Sequence, residues 1–399
     1  ALWRASGSNM ISTNYAFWLA AFKTRSLPMP DMLVLDEAHE AAKELENYLT
    51  FSMSREDSHA AGSKLPDSDD VREWKQWATA FHAMLATQVE DLPRPKTHED
   101  LKAYRKLVAT VERFDTLSNV VPEDWVLERD DRNNRATFAP IRVSSYAEKY
   151  LFRKVPHVVL SSATLTHKTF QLLGIPQDDY SLWECPSRFP ANRRPVIHVA
   201  ASPPVRVDAR HNDENDHRAW RIRIDNLIRP RLHDGRNGII HTVSYRRMKY
   251  LLQTSEFRGK MIAHDTEHTR AAVEKFKKAD PGAILVSPSV STGWDFPDAQ
   301  CRYQIIGKVP FPDTRGAIMS VRKDTDPEFV PYLASQMLVQ AAGRGMRSAE
   351  DWCETLIVDD NIEWFWKKFK HLFPAWFVQA YQVSRVLPPP LQVFDEDEE

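Results

Sequence analysis

The chain of 399 residues holds only three cysteines, Cys185, Cys301 and Cys353, set far apart. Their spacing makes neither a metal-ligand pattern nor a disulfide framework, which suits a reducing compartment and ordinary buried or surface thiols. No apolar run approaches the length of a membrane span, and no signal peptide is visible. An excess of one charge is missing too. The 53 Lys and Arg against 55 Asp and Glu leave a formal charge of -2, so any nucleic-acid groove must be built from local charge. Nothing matches G-x-x-x-x-G-K-[ST], the loop whose amides and lysine cradle a triphosphate. The nearest lysines, in "AGSKLP", "FRGKMI" and "IIGKVP", lack that spacing. There is no internal repeat.

What is present reads as a globular chain of two or three domains. "NMISTNYAFWLAAF" reads as a strand end and helix, and "DMLVLDEA" as a buried parallel strand. From about residue 41 to 145, charged and aromatic residues recur at helical spacing with few strand signals, as in an inserted, mostly helical module. "KVPHVVLSSATLT" returns to a strand and turn. A stretch rich in Pro, Arg and Asn, "CPSRFPANRRPVIHVAASPPVRV", reads as a crossing between domains. Beyond it helices alternate with "NGIIHTV", "KMIAHD", "AILVSPSV", "YQIIGKV" and "CETLIVDD", which predicts a parallel sheet covered on both faces. The tail "LPPPLQVFDEDEE" reads as frayed and acidic.

Four segments have chemistry in them. In "VLDEAH" a strand ends in Asp36 and Glu37. Carboxylates at the carboxyl end of a parallel strand sit where ligands gather. One can hold a magnesium ion through its water shell and the other can orient or deprotonate a water. An isolated "DE" would be no more than a helix start favoured by the dipole. In "QAAGRGMRS", Arg344 and Arg347 are three apart, sharing a face if helical, and two guanidinium groups suit a polyphosphate. Gly343 and Gly345 would permit close backbone approach. In "SSATLT", small hydroxyl residues follow a strand, a pattern that alone reads as a turn or cap. In "VSPSVSTGWDFPD", hydroxyls, Gly293 and Asp295 end a strand, where they can grip a nucleic-acid backbone or simply form a polar turn.

In this order and spacing, "DEAH", "SATL", "STGWDFPD…KVPFP" and "QAAGRGMRS" resemble superfamily-2 helicases, and among them the DinG/XPD branch. The resemblance runs over nearly the whole chain, with the inserted region matching by position and helicity only. It implies an α/β fold of two RecA-like parallel-sheet motor domains with a mostly α-helical arch-like insertion. The expected division is 1–40 with 146–200 for an incomplete first motor domain, 41–145 for the insertion, and 201–399 for the second motor domain.

The resemblance further implies ATP and Mg2+ as cofactors. Asp36 would hold the metal's water, Glu37 would be the general base, and His39 would couple the nucleotide site to the second domain. Ser162, Ala163 and Thr164 match the coupling segment. Gly293 and Asp295 match a segment near nucleotide and strand, and Gln340, Arg344 and Arg347 the segment facing the γ-phosphate. Ser244, Ser291 and Thr292 are the expected nucleic-acid contacts. The activity implied is ATP-dependent translocation 5′ to 3′ on single-stranded or forked DNA, with no membrane partner, in the cytoplasm or a nucleus. Repair is one process that uses such motors. In this branch the phosphate loop and any iron–sulfur cysteines lie upstream of DEAH. The chain, opening at Ala1, is therefore expected to be a fragment that hydrolyses little ATP alone, and no cluster is supported within it. The rival readings are a non-catalytic nucleic-acid-binding remnant or subunit, and an RNA helicase. Aromatics of the insertion, Trp74, Trp77, Phe81, Tyr104 and Phe114, could stack on bases but are expected mostly to pack inside. Trp364, Phe365 and Trp366 are expected to be core.

Overall fold

The structure, a computed structural model, describes residues 7–24, 26–207, 214–289, 294–348 and 350–392. The chain divides into two compact units, Ala1–Tyr180 with Asp313–Phe329, and Ser181–Pro312 with Val330–Glu399. None of the helices among the described residues is long and apolar enough to cross a membrane.

In the first unit, strands β1 (Met32–Asp36) and β5 (His157–Ser161) pair in parallel. The Tyr15–Thr24 helix covers one face, its Trp18 donating from Nε1 to Leu151 O at 2.8 Å inside a core with Leu19, Leu35, Leu45 and Leu151. On the other face Met32, Val34 and Val159 are exposed. The strand end anticipated before Tyr15 is absent, since residues 10–14 hold no regular structure.

Between these strands lies the insertion. Its long helices, Val71–Glu90 and His98–Asn119, pack on each other. They are accompanied by something the helical spacing hid, a three-stranded antiparallel sheet of β2 (Phe51–Ser54), β4 (Arg135–Pro140) and β3 (Trp125–Asp130) in the order β2-β4-β3. Trp74, Phe114 and Phe138 are fully buried between sheet and helices, and Trp77 and Phe81 pack partly buried against them. Burial therefore takes most of the aromatics that could have stacked on bases.

The second unit is built on a seven-stranded, all-parallel sheet. Its strands are β6 (Val196–Val199), β7 (Gly238–His241), β8 (Met261–Ile262), β9 (Ile284–Ser287), β10 (Tyr303–Ile306), β11 (Glu354–Ile357) and β12 (Tyr381–Ser384). They run in the order β12-β6-β11-β10-β7-β9-β8. Continuous apolar runs such as "GIIH", "ILVS" and "YQII" are buried on both faces, as helix-covered parallel strands must be. Gly238 is required by packing. A Cβ there would meet the Tyr303 ring at 2.2 Å.

Two features depart from the anticipated division. β6, placed with the first domain by its position before residue 201, pairs with β11 and β12 inside the second sheet. Residues 313–329, which follow β10, belong to the first unit, because buried polar contacts hold them there. Arg322 reaches Glu46 at 2.7 Å and donates to Pro140 O at 2.6 Å, while Lys168 donates to Asp326 at 2.9 Å. Near the C-terminus Phe365 is core and Trp366 stacks on Tyr381 at 3.8 Å, but Trp364 is exposed, its ring lying off the buried side of the Asn361–Phe369 helix.

Beneath the second sheet, Arg231 and Glu354 form a fully buried bidentate pair at 2.9 and 2.6 Å. Removing one partner of a buried pair strands the other charge and costs about 3–5 kcal/mol. Arg231→Met should therefore lower the unfolding free energy of the second unit, read from its urea midpoint, by an amount in that range. An unchanged midpoint would show the pair to be energetically idle.

Candidate nucleotide and nucleic-acid sites

The parallel register of β1 and β5 sets Asp36 beside Ser161, so two segments far apart in sequence end at the same place. At that end Glu37 turns the chain in the left-handed region, φ 49° and ψ 44°, and a short 3-10 turn, Ala38–Glu40, follows. The turn buries His39 while Asp36 and Glu37 stay exposed. His39 Nδ1 shares a hydrogen bond with Ser162 Oγ at 2.7 Å and lies 3.4 Å from Glu37 Oε2. Ser162 Oγ donates to Glu37 Oε2 at 3.3 Å and accepts from Thr164 N at 3.2 Å. Thr164 is buried and its hydroxyl is 3.2 Å from that of Ser162, while Ala163 is exposed between them. Acidic residue, imidazole and hydroxyl are thus wired in one chain.

Two members of this site carried no motif signal. Glu40 Oε1 lies 3.3 Å from His39 Nε2, and the hydrogen bond to His39 holds the Glu40 carboxyl below its usual range. Tyr15 donates its hydroxyl to Asp36 O at 2.8 Å, and burial, followed by the charges of Asp36 and Glu37, pushes its pKa up. A carboxylate four residues after Asp36 on an expected turn was the only available clue to Glu40; Tyr15 offered none.

Asp36 and Glu37 are hard oxygen donors, the type that magnesium takes. Among the described residues no group of three or more His, Cys, Asp or Glu side chains could enclose a metal ion. A single carboxylate acting through the ion's water shell needs no such enclosure.

In the second unit the helix Phe329–Ala342 stops before the arginines. Gly343–Gly345 is a 3-10 turn and Met346 is extended, so Arg344 and Arg347 do not share a helical face. Glycine's cost in a helix, and Asp351 accepting from the amides of Arg347 and Ser348 at 2.9 and 3.2 Å, favour this break. The two guanidinium groups converge instead on one carboxylate. Asp295 binds Arg347 Nη2 and lies 3.8 Å from Arg344 Nη1. Arg344 is buried, donating to Trp294 O at 2.9 Å and Gln340 Oε1 at 3.0 Å, so Gln340, Asp295, Arg344 and Arg347 form one set.

Gly345 makes a close approach, but to the protein. A Cβ there would meet Cys353 Sγ at 2.5 Å, whereas Gly343 faces open space. Cys301 and Cys353, remote in sequence, lie with sulfurs 3.9 Å apart, and burial pushes the Cys301 thiol well up. Gly293, Ser291 and Thr292 lie outside the described residues. Ser244 caps the helix Tyr245–Thr254, its Oγ accepting from Arg247 N at 3.3 Å, which is the ordinary structural use of such a residue.

Under the arginine set sits His241, buried at the end of β7 with Nε2 bonded to Gln304 Oε1 at 3.0 Å. Gln304 Nε2 donates in turn to Ala342 O at 3.3 Å. Burial, with the charge of Arg344 adding to it against the Gln304 bond, holds the His241 pKa down at about 4.

Residues 233–380 match the family described as helicase C-terminal domain. The matched region holds β7 to β11 and the whole arginine set. Among solved structures the chain is similar to an XPD helicase, with TM-score 0.53 and 15% identity over 93% of this chain and 72% of that one. It is similar also to an apo XPD, with TM-score 0.52 and 15% identity over 89% of this chain and 79% of that one. No curated protein sequence matches the chain. The fold is thus similar to that of XPD helicases.

Two outcomes are expected from these geometries. A non-glycine residue in the left-handed region costs on the order of 1–2 kcal/mol, so Glu37→Gly should not destabilise the first unit and should raise its unfolding free energy by about 1 kcal/mol; a clear loss would mean that the Glu37 carboxylate holds the turn. His241 works in the opposite sense with pH. Above about pH 6.5 it is neutral folded or unfolded; between there and about pH 4 only the unfolded chain takes a proton, so stability falls. The loss is on the order of 3 kcal/mol, and the unfolding free energy read from urea titrations across that range should lose that pH dependence in His241→Asn.

Proposed function

We propose that the chain is the catalytic C-terminal portion of an ATP-dependent helicase or translocase, working 5′ to 3′ on single-stranded DNA. In this reading Asp36 would hold a magnesium ion through its water shell, which would supply positive charge to the phosphates. Glu37 takes the proton of the attacking water. His39 and Ser162 hold the Glu37 carboxylate in place, and Thr164 buttresses Ser162. In the second unit Arg344 and Arg347 offset charge on the transferring phosphoryl group, while Gln340 and the Trp294 carbonyl fix the Arg344 fork. Asp295 pairs both arginines when no phosphate engages them. Ser291, Thr292 and Gly293 are proposed nucleic-acid and nucleotide contacts. ATP is anchored by a phosphate loop belonging to the full-length protein or to a partner chain, so this chain by itself turns over little ATP.

The observation that supports this most is the Glu37–His39–Ser162 chain at paired strand ends. A helix start would need a carboxylate near its amides, but neither a buried imidazole nor a hydroxyl from a second strand. A remnant with binding alone would have no use for that arrangement beside an exposed carboxylate.

The test is ATP hydrolysis by the full-length protein with and without single-stranded DNA. DNA should stimulate hydrolysis. Glu37→Gln should lower turnover by about 100-fold or more, within the range of general-base removal, while nucleotide affinity stays within about 2-fold. Normal turnover in that variant would refute the role of Glu37. Absence of DNA stimulation in the parent, with RNA active in its place, would favour the RNA helicase reading.

A further inference from the structure

A cavity of about 550 Å³ opens in the second unit between the Glu214–His233 and Tyr245–Thr254 helices. It is not part of the arginine set, and none of its lining residues belongs to the four motifs. Trp220 is buried in its wall, its Nε1 committed to Gly307 O at 2.6 Å. Tyr250 and His217 have ring centroids 5.4 Å apart. The rest of the lining includes Arg246, Arg247 and Lys249 and, among the described residues, no acidic one.

Two cations of this cavity, Arg246 and Lys249, differ from the arginines around them. Elsewhere on the same two helices and their neighbours, arginines have acid partners: Arg221 with Asp225 at 2.9 Å, Arg229 with Glu256 at 2.6 Å, Arg223 with Asp360 at 3.2 Å. Arg246 and Lys249 lie within 4.0 Å of no carboxylate among the described residues, and both are exposed. Burial first, then the fields of Arg246 and Arg247, lower the His217 pKa, opposed by Asp216. Permanent cations concentrated over aromatic surface match a chain of phosphates carrying flat bases. Stacking on an aromatic ring and backbone neutralisation are the two terms that bind single strands without reading sequence. The volume is that of a site for a nucleotide-sized group.

We propose that this cavity is a subsite for single-stranded nucleic acid, in which Arg246 and Lys249 neutralise successive phosphates and Tyr250 receives a base. The proposal rests on the nucleic-acid-binding reading above and adds a surface beside Ser244, whose Oγ accepts from Arg247 N.

The experiment measures binding of a fluorescently labelled thymidine oligonucleotide, about 15 nucleotides long, to this chain by anisotropy over a range of salt. At about 100 mM salt, Arg246→Ala with Lys249→Ala should weaken binding by about 10-fold, and the salt slope should fall by about 1.4, the share of two single-strand phosphate contacts. Arg246→Lys with Lys249→Arg should restore both. Tyr250→Leu should weaken binding by about 10-fold with the slope unchanged. If the parent binds and the double alanine variant keeps its affinity and slope, the subsite is refuted while the wider reading stands. Should the parent itself fail to bind, both fall together. Loss of tripolyphosphate or ADP binding with oligonucleotide binding intact would also overturn the proposal, assigning the cavity to free phosphate compounds.

Discussion

The parallel pairing of β1 with β5, with Asp36 opposite Ser161, is the constraint on which the first site depends. Each strand alone would end in a polar turn with nothing to hold. In register, the exposed carboxylate of Glu37 gains a hydroxyl from one strand and an imidazole from its own, and the imidazole can be buried because both its nitrogens have polar neighbours. A slip of one residue would turn the alternating side chains to the opposite face and dissolve the set. Backbone strain at Glu37 is the local cost of aiming that carboxylate outward.

The second site follows a different logic. Its geometry comes from ending a helix rather than pairing strands. Gly343 and Gly345 and the Asp351 cap release the chain, and the arginines are gathered by tertiary partners: a main-chain carbonyl, an amide side chain and the Asp295 carboxylate. Below them the neutral His241 and Gln304 form a buried polar layer that ties β7 and β10 to the helix end at Ala342. Buried polar groups of this kind fix an arrangement because each loses its partner if the layer shifts.

Much of this could be read from residue order. Buried strands "ILVS" and "YQII", the helices between them and the strand "MLVLD" declared themselves by apolar runs and helical spacing, because burial on both faces leaves little choice of residue. Among the motif residues, the structure wires Glu37, His39 and Ser162 together, and Gln340, Arg344, Arg347 and Asp295 together. Helical spacing misled at Arg344 and Arg347, where glycines outweigh it. Strands β2, β3 and β4 escaped notice since "FSMS", "WVLERD" and "RATFAP" are short and half polar, paired by contacts remote in sequence. Local pattern is equally blind to Cys301 meeting Cys353, and to Glu128 presenting its carboxylate to the amide of Ile318 at 3.3 Å.

The attachment of residues 313–329 to the first unit bears on how the polypeptide emerges during synthesis. Glu46 and the Pro140 carbonyl are made early and acquire Arg322 only after β6 to β10 of the other unit have left the ribosome. Translation at roughly 5–20 residues per second leaves them waiting many seconds for it. A chain halted before that point would expose an acidic group shaped to receive a cation that had yet to arrive.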